Sequence, residues 1–110
     1  MALTISQLFA PVQLGLTSAV IYAQPAGSVL KNGRVRLTNT SILPVAATLY
    51  AAPSATTSAA ANCFLSAVSI SANAFLDVDI PTLTGGDTLR GLAGTATVIT
   101  VHEMGGVSYS

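Results

Sequence analysis

Apolar side chains recur at every second position along much of this chain, the period of a half-buried β-strand rather than of a helix. The run Arg34-Val35-Arg36-Leu37-Thr38 sets Val35 and Leu37 on one face and both arginines on the other. Residues 45–50 repeat the pattern with Val45, Ala47 and Leu49, and residues 75–80 with Leu76, Val78 and Ile80 inward, Asp77 and Asp79 outward. Further strands are predicted over 20–24, 64–70, 88–92 and 95–103. The alternate positions are mostly Thr, Ser and Ala. Only Thr favours a pleated surface, so alternation carries these assignments more than propensity does. No segment keeps a 3.6-residue apolar stripe over ten residues, so no helix longer than about two turns is expected.

Turn chemistry punctuates the strands. Gln24-Pro25-Ala26-Gly27 combines a fixed φ with a residue free to take positive φ, as a type II turn requires. Asn32-Gly33 is a hairpin dipeptide, or else a bulge inside one longer strand. Asn39-Thr40-Ser41, Ser71-Ala72-Asn73 and Thr84-Gly85-Gly86-Asp87 read as turns, and Gly105-Gly106 as the exit to a tail. Residues 51–62 contain no large apolar side chain and read as a surface loop, with a short helical turn possible at Ala59-Ala60-Ala61. Turns every 8–12 residues or so between short strands mark a sandwich or barrel. The expectation is an all-β, single-domain β-sandwich or jelly-roll-like fold of seven to eight short strands. Residues 1–17 form an N-terminal arm or edge strand, 18–104 the domain with its 51–62 loop, and 105–110 a C-terminal tail.

Charge alters the picture more than any motif. The 110 residues include four basic and four acidic side chains, for a net charge of zero, yet 51% of the chain is apolar. A soluble domain ordinarily has about a quarter of its residues charged, and a net charge away from zero limits association. The pattern therefore points to an assembly component covered by copies of itself or by partners. Pro, Gly, Asn, Ser or Thr interrupts every apolar run well short of the roughly 20 residues of a membrane-spanning helix. The start, Met-Ala-Leu-Thr-Ile-Ser-Gln, lacks the basic and apolar regions of a secretion signal. The balanced charge offers no footprint for nucleic acid or an anionic membrane. Cys63 is the single cysteine and reads as a small buried hydrophobe, so no intrachain disulfide is expected.

Several features resemble small all-β structural proteins of tailed bacteriophages. Ile21-Tyr22 leads to Pro25-Ala26-Gly27. Leu37-Thr38-Asn39-Thr40-Ser41 precedes a Val-Ala-Ala-Thr-Leu-Tyr strand over 45–50. Leu83-Thr84-Gly85-Gly86-Asp87-Thr88-Leu89-Arg90 precedes the closing Val98-Ile99-Thr100-Val101-His102-Glu103. The resemblance spans residues 18–103 and rests on strand-and-turn patterns, so it transfers no catalytic or binding residue. It implies a virion component made in the host bacterial cytoplasm, with the major capsid protein or other virion proteins as partners, and a homo-oligomer. A head decoration or cement protein is the first reading. A tail, baseplate or fibre module, or a receptor- or carbohydrate-binding sandwich, is the alternative.

The candidate chemistry is sparse. Asp77 and Asp79 share one side of a strand and would begin a Ca²⁺ or Mg²⁺ site only with further oxygen ligands; a solvated or partner-facing strand is the simpler reading. Arg34 and Arg36 mirror them, and the four would pair across neighbouring strands or between copies. His102 and Glu103 are adjacent, so their side chains take opposite faces. No Gly-x-Ser-x-Gly elbow accompanies the single histidine, and one His with one Cys falls short of a zinc set. Gly85-Gly86-Asp87 lacks the Lys and Ser/Thr of a phosphate-binding loop. The chain is read as a non-enzyme without cofactor or metal. Interface candidates are Arg34, Arg36, Asp77 and Asp79, together with Phe9, Val12, Leu14 and Tyr109. Leu3, Ile5 and Leu8 join Phe9, Val12 and Leu14 in an arm too apolar to lie free in water.

Overall fold

The computed structural model describes residues 3–4, for backbone only, and residues 8–109. The expectations for Ile5, for the Leu3 side chain and for the last residue, Ser110, lie outside the described residues. Among the described residues there are ten strands: β1 (Leu3–Thr4), β2 (Val12–Gln13), β3 (Ala19–Ala23), β4 (Val29–Asn39), β5 (Val45–Ala52), β6 (Cys63–Ile70), β7 (Phe75–Asp79), β8 (Leu83–Thr84), β9 (Thr88–Ala93) and β10 (Ile99–Tyr109). Seven of them have five or more residues, and the only helical piece among the described residues is a 3-10 turn at Ala60–Asn62.

The strands form two antiparallel sheets. The first has the order β1-β10-β4-β7, with β2 also pairing β10 and β8 also pairing β4. The second has the order β3-β9-β5-β6. Six of the nine connections between these strands cross from one sheet to the other, so the two sheets are built from interleaved segments. The inner faces meet in one core: Leu30, Val35, Leu37, Leu83, Ile99 and Val101 from the first sheet, Val45, Ala47, Leu49, Ile70, Leu89 and Ala93 from the second. The molecule is an all-β sandwich, as its alternation predicts. Val35, Leu37, Leu49 and Ile80 are buried as expected; Leu76 and Val78, on the outermost strand of their sheet, are partly buried against the same core.

The structure corrects several boundaries. Asn32-Gly33 makes no hairpin. Asn32 takes φ 56 inside the continuous strand β4, and the pairing of β4 with β10 shifts register nearby, so the bulge alternative holds. The turn after β3 lies one residue later than its Pro-Gly spacing implied. Ser28 N donates to Pro25 O at 3.3 Å and Gly27 has φ 76, which makes Ala26 and Gly27 the corners. Residues 95–98 are not strand; they form the loop before β10. Gly105 and Gly106 do not start a tail. With φ 145 and 146 they continue β10, which pairs with β4 as far as Tyr109↔Val29. Ala51 and Ala52 end β5 and Ala52 is fully buried, so the loop is 53–62.

At the N-terminus, the edge-strand alternative describes the backbone. β1 pairs with Ser108 and Tyr109, and β2 with Thr100 and Val101. Leu14 lies in the core, and Leu8, Phe9 and Val12 pack against it. From residue 8 onward this segment is therefore part of the domain rather than a strap reaching for a neighbour.

Candidate interaction surface

Four of the eight charged side chains gather on one face. On the outer side of the first sheet, Arg34 pairs with Asp79 in register across β4 and β7, and Arg36 with Asp77. Arg34 Nε donates to Asp79 Oδ1 at 3.0 Å; Arg36 donates to both oxygens of Asp77, at 2.8 and 3.0 Å. Arg36 also lies over the Phe75 ring, 4.0 Å from its centre. The hydrogen bond from Arg36 holds the Asp77 carboxyl below its ordinary range, and the same bond raises Arg36. These four residues are thus paired within the chain and are not open ions waiting for a second copy. The register decides it, because β4 and β7 are direct neighbours. His102 stands in the same row, opposite Arg36 on β10.

Asp87 and Arg90 are absorbed by loops. Asp87 accepts from the N–H groups of Thr84 and Ser54 and from the Thr84 hydroxyl, fixing the turn before β9. Arg90 donates to Thr88 Oγ1 at 2.9 Å and to Thr56 O, pinning the 53–62 loop. No three His, Cys, Asp or Glu side chains converge on a common point among the described residues. The hollow beside Asn32, Gly33, Arg34, Asp79 and Pro81 is an open surface groove whose charges are already paired with each other.

Phe9 and Tyr109 are half-buried rather than fully exposed aromatics. Phe9 packs on Tyr22 with ring centres 5.8 Å apart. The Tyr22 hydroxyl donates to Gln24 Oε1 at 2.7 Å, and burial pushes its pKa up. Gln24 is itself buried and donates to Ser28 and Ser108. Tyr109 is half-buried on β10, registered against Val29 and Leu3. Val12 is half-buried on β2, and Leu14 is only 3% exposed.

A feature absent from the sequence reading lies at one end of the sandwich. The loops 14–18, 40–44, 71–74 and 94–98 meet there, and none contains an ionisable residue. Backbone hydrogen bonds join them into one rim: Thr97 N to Leu14 O, Ala93 N to Gly15 O, Thr40 N to Val98 O, Asn73 N to Ser41 O, Asn39 N to Ala74 O. The fully buried Asn39 organises it. Its Nδ2 donates to Leu43 O at 2.8 Å, to Ile70 O at 3.0 Å and to Ser71 O; its Oδ1 accepts from Ser41. From this fixed rim three large apolar side chains project into solvent, Leu16 (62% exposed), Ile42 (83%) and Leu43 (66%), with Phe75 (56%) at its border. At the opposite end, built from the 24–28 and 53–62 loops and the turn at Asp87, no large hydrophobic among the described residues is exposed. The sequence signal existed as Ser41-Ile42-Leu43-Pro44, two apolar residues inside a turn, where alternation gives them no reason to be.

Comparison with protein-family descriptions, with curated proteins and with solved structures returned no match. Among the described residues, no helix is long and apolar enough to cross a membrane.

Proposed function

We propose that this chain is a structural virion protein, a decoration or cement protein that binds the outer shell of a bacteriophage head and stabilises it. The observation that carries the reading is the charge-free loop end with Leu16, Ile42 and Leu43 held outward. Exposed apolar side chains on flexible loops would be a solubility liability. On a hydrogen-bonded rim they are preorganised, so docking them costs little ordering entropy. No ion has to be desolvated at such a contact, which removes the largest penalty of burying a polar surface. The opposite polarity of the first sheet, with its paired arginines and aspartates, suits the side left in water. The resemblance of residues 18–103 to phage structural proteins supplies the kind of partner, the major capsid protein, and repetition over many copies makes weak individual contacts effective together.

The test is gold-labelled antibody against this chain, applied to particles purified from cells carrying the genome that encodes it. Label over the icosahedral shell is expected. Label confined to tails moves the chain to a tail or fibre module, and particles free of label overturn a virion role.

A further inference from the structure

Residues 53–62 leave β5 at the end of the sandwich away from the rim, yet they do not stay there. At the base of the segment Ser54 N donates to Asp87 Oδ1 at 3.0 Å. Further on, Thr56 O accepts from Arg90, whose side chain points outward between the buried Leu89 and Gly91. At the tip, the Ser58 hydroxyl hydrogen-bonds the Ser18 hydroxyl, just before β3. The segment thus folds back over the outer side of the second sheet and reaches the 14–18 loop, two residues from the exposed Leu16. That loop is held unevenly. Backbone bonds to Ile99, Thr97 and Ala93 fix Leu14 and Gly15, and pairing with Gly91 resumes at Ala19. Between these anchors the chain bends at Leu16 and Thr17, both exposed. Among the described residues, the side-chain tie in this gap is Ser18 to Ser58.

Resting on the reading of the loop end as a docking surface, we propose that residues 53–62 are a releasable brace for its Leu16 corner. Seated, the brace holds that corner in its docking shape; lifted, it lets the corner move. The segment is built to let go. Of its ten residues only Ser58 and Asn62 are half-buried and the rest are exposed, so hydrogen bonds rather than apolar burial keep it in place. Ala55 is held at φ 63, a strain that lifting relieves. Asn62 closes the tip on itself, accepting from Ala59 N and donating to Thr57 O, so the tip can move as one piece. The Ile42–Leu43 corner has its own supports in Asn39 and Ser41 and does not depend on the brace. By linkage, a partner seated on Leu16 favours the seated brace, and whatever draws residues 53–62 away weakens docking there.

The experiment is NMR relaxation of the backbone amides in the full, free chain. Wild type is set beside Ser58→Ala, Ser18→Ala and Ser58→Thr, with thermal unfolding recorded for each. In wild type the Leu16, Thr17, Ile42 and Leu43 amides are expected to show order parameters of about 0.85, the value of rigid backbone. Ser58→Ala and Ser18→Ala remove the same bond from its two sides. Each should bring Leu16 and Thr17 below about 0.6 while Ile42 and Leu43 stay rigid and the unfolding temperature holds. Ser58→Thr keeps the hydroxyl and should match wild type. A Leu16 already mobile in wild type overturns the brace, as does a Leu16 that stays rigid in both alanine variants. Mobility that spreads to Ile42 and Leu43 also counts against it, because the bond would then support the fold at large rather than one corner. Every reading is taken on the free chain and none decides whether the particle is labelled, so the two proposals fail separately.

Discussion

Thr97 holds φ 59, a region that β-branched residues almost never occupy, with its N–H donating to Leu14 O at 3.0 Å. The strain sits in the loop rim. Thr97→Asn, which tolerates this conformation, is expected to raise stability by about 1 kcal/mol, measured by urea denaturation. Core positions behave in the opposite way. Leu37 and Leu49 are fully buried, and Leu→Ala at either is expected to cost roughly 2–5 kcal/mol. Gly91 faces the same core, and a Cβ added there would stand 2.8 Å from Leu49 Cδ2 and 3.1 Å from Ile21 Cδ1. Gly91→Ala should therefore lose about 1–3 kcal/mol through overpacking. Alternation made Leu37 and Leu49 legible. It could not mark Gly91, because the side chains that fill its space come from two other strands.

Among the elements, β4 and β7 show what sequence pattern can and cannot deliver. Their alternation set the arginines and aspartates outward, but whether they met depended on strand order, which no local pattern encodes. The pairs Arg34–Asp79 and Arg36–Asp77 are solvent-exposed, so their contribution is small and screened by salt. Its pH dependence has a definite sign. The Asp77 carboxyl is held low in the folded state, so it contributes stability above the ordinary carboxylate range and loses it as pH falls through the lowered folded value. Asp77→Asn is expected to be less stable than wild type at neutral pH and to converge with it in acid, as read from denaturation midpoints across a pH series. Strand β10 was misread for a physical reason. Paired glycines ordinarily break a strand, but a Cβ on Gly106 would lie 3.1 Å from the Gly33 Cα and 3.2 Å from Leu30 Cδ1. The glycine is there to let two irregular strands approach.

For the whole molecule, the scarcity of charge read from composition becomes a direction in space. Five of the eight charged residues, Lys31, Arg34, Arg36, Asp77 and Asp79, lie on β4 and β7 of the first sheet, while four loops at one end have none. Composition suggested that the chain belongs in an assembly; the rim proposed as its docking surface was hidden, because it is built from segments up to some eighty residues apart in sequence. From residue 8 onward the N-terminal segment packs on its own core, in line with the edge-strand alternative; the docking strap was an equal reading of the sequence because an apolar arm looks the same whether it covers its own core or a neighbour. The measurement that bears most directly on the account is particle occupancy of the double variant Ile42→Asp/Leu43→Asp, set beside the unfolding temperature of the free chain. Both side chains already face water, so the free variant should unfold within a few degrees of wild type while its occupancy on purified heads falls at least tenfold. Undiminished occupancy with both aspartates in place would contradict docking through the loop end.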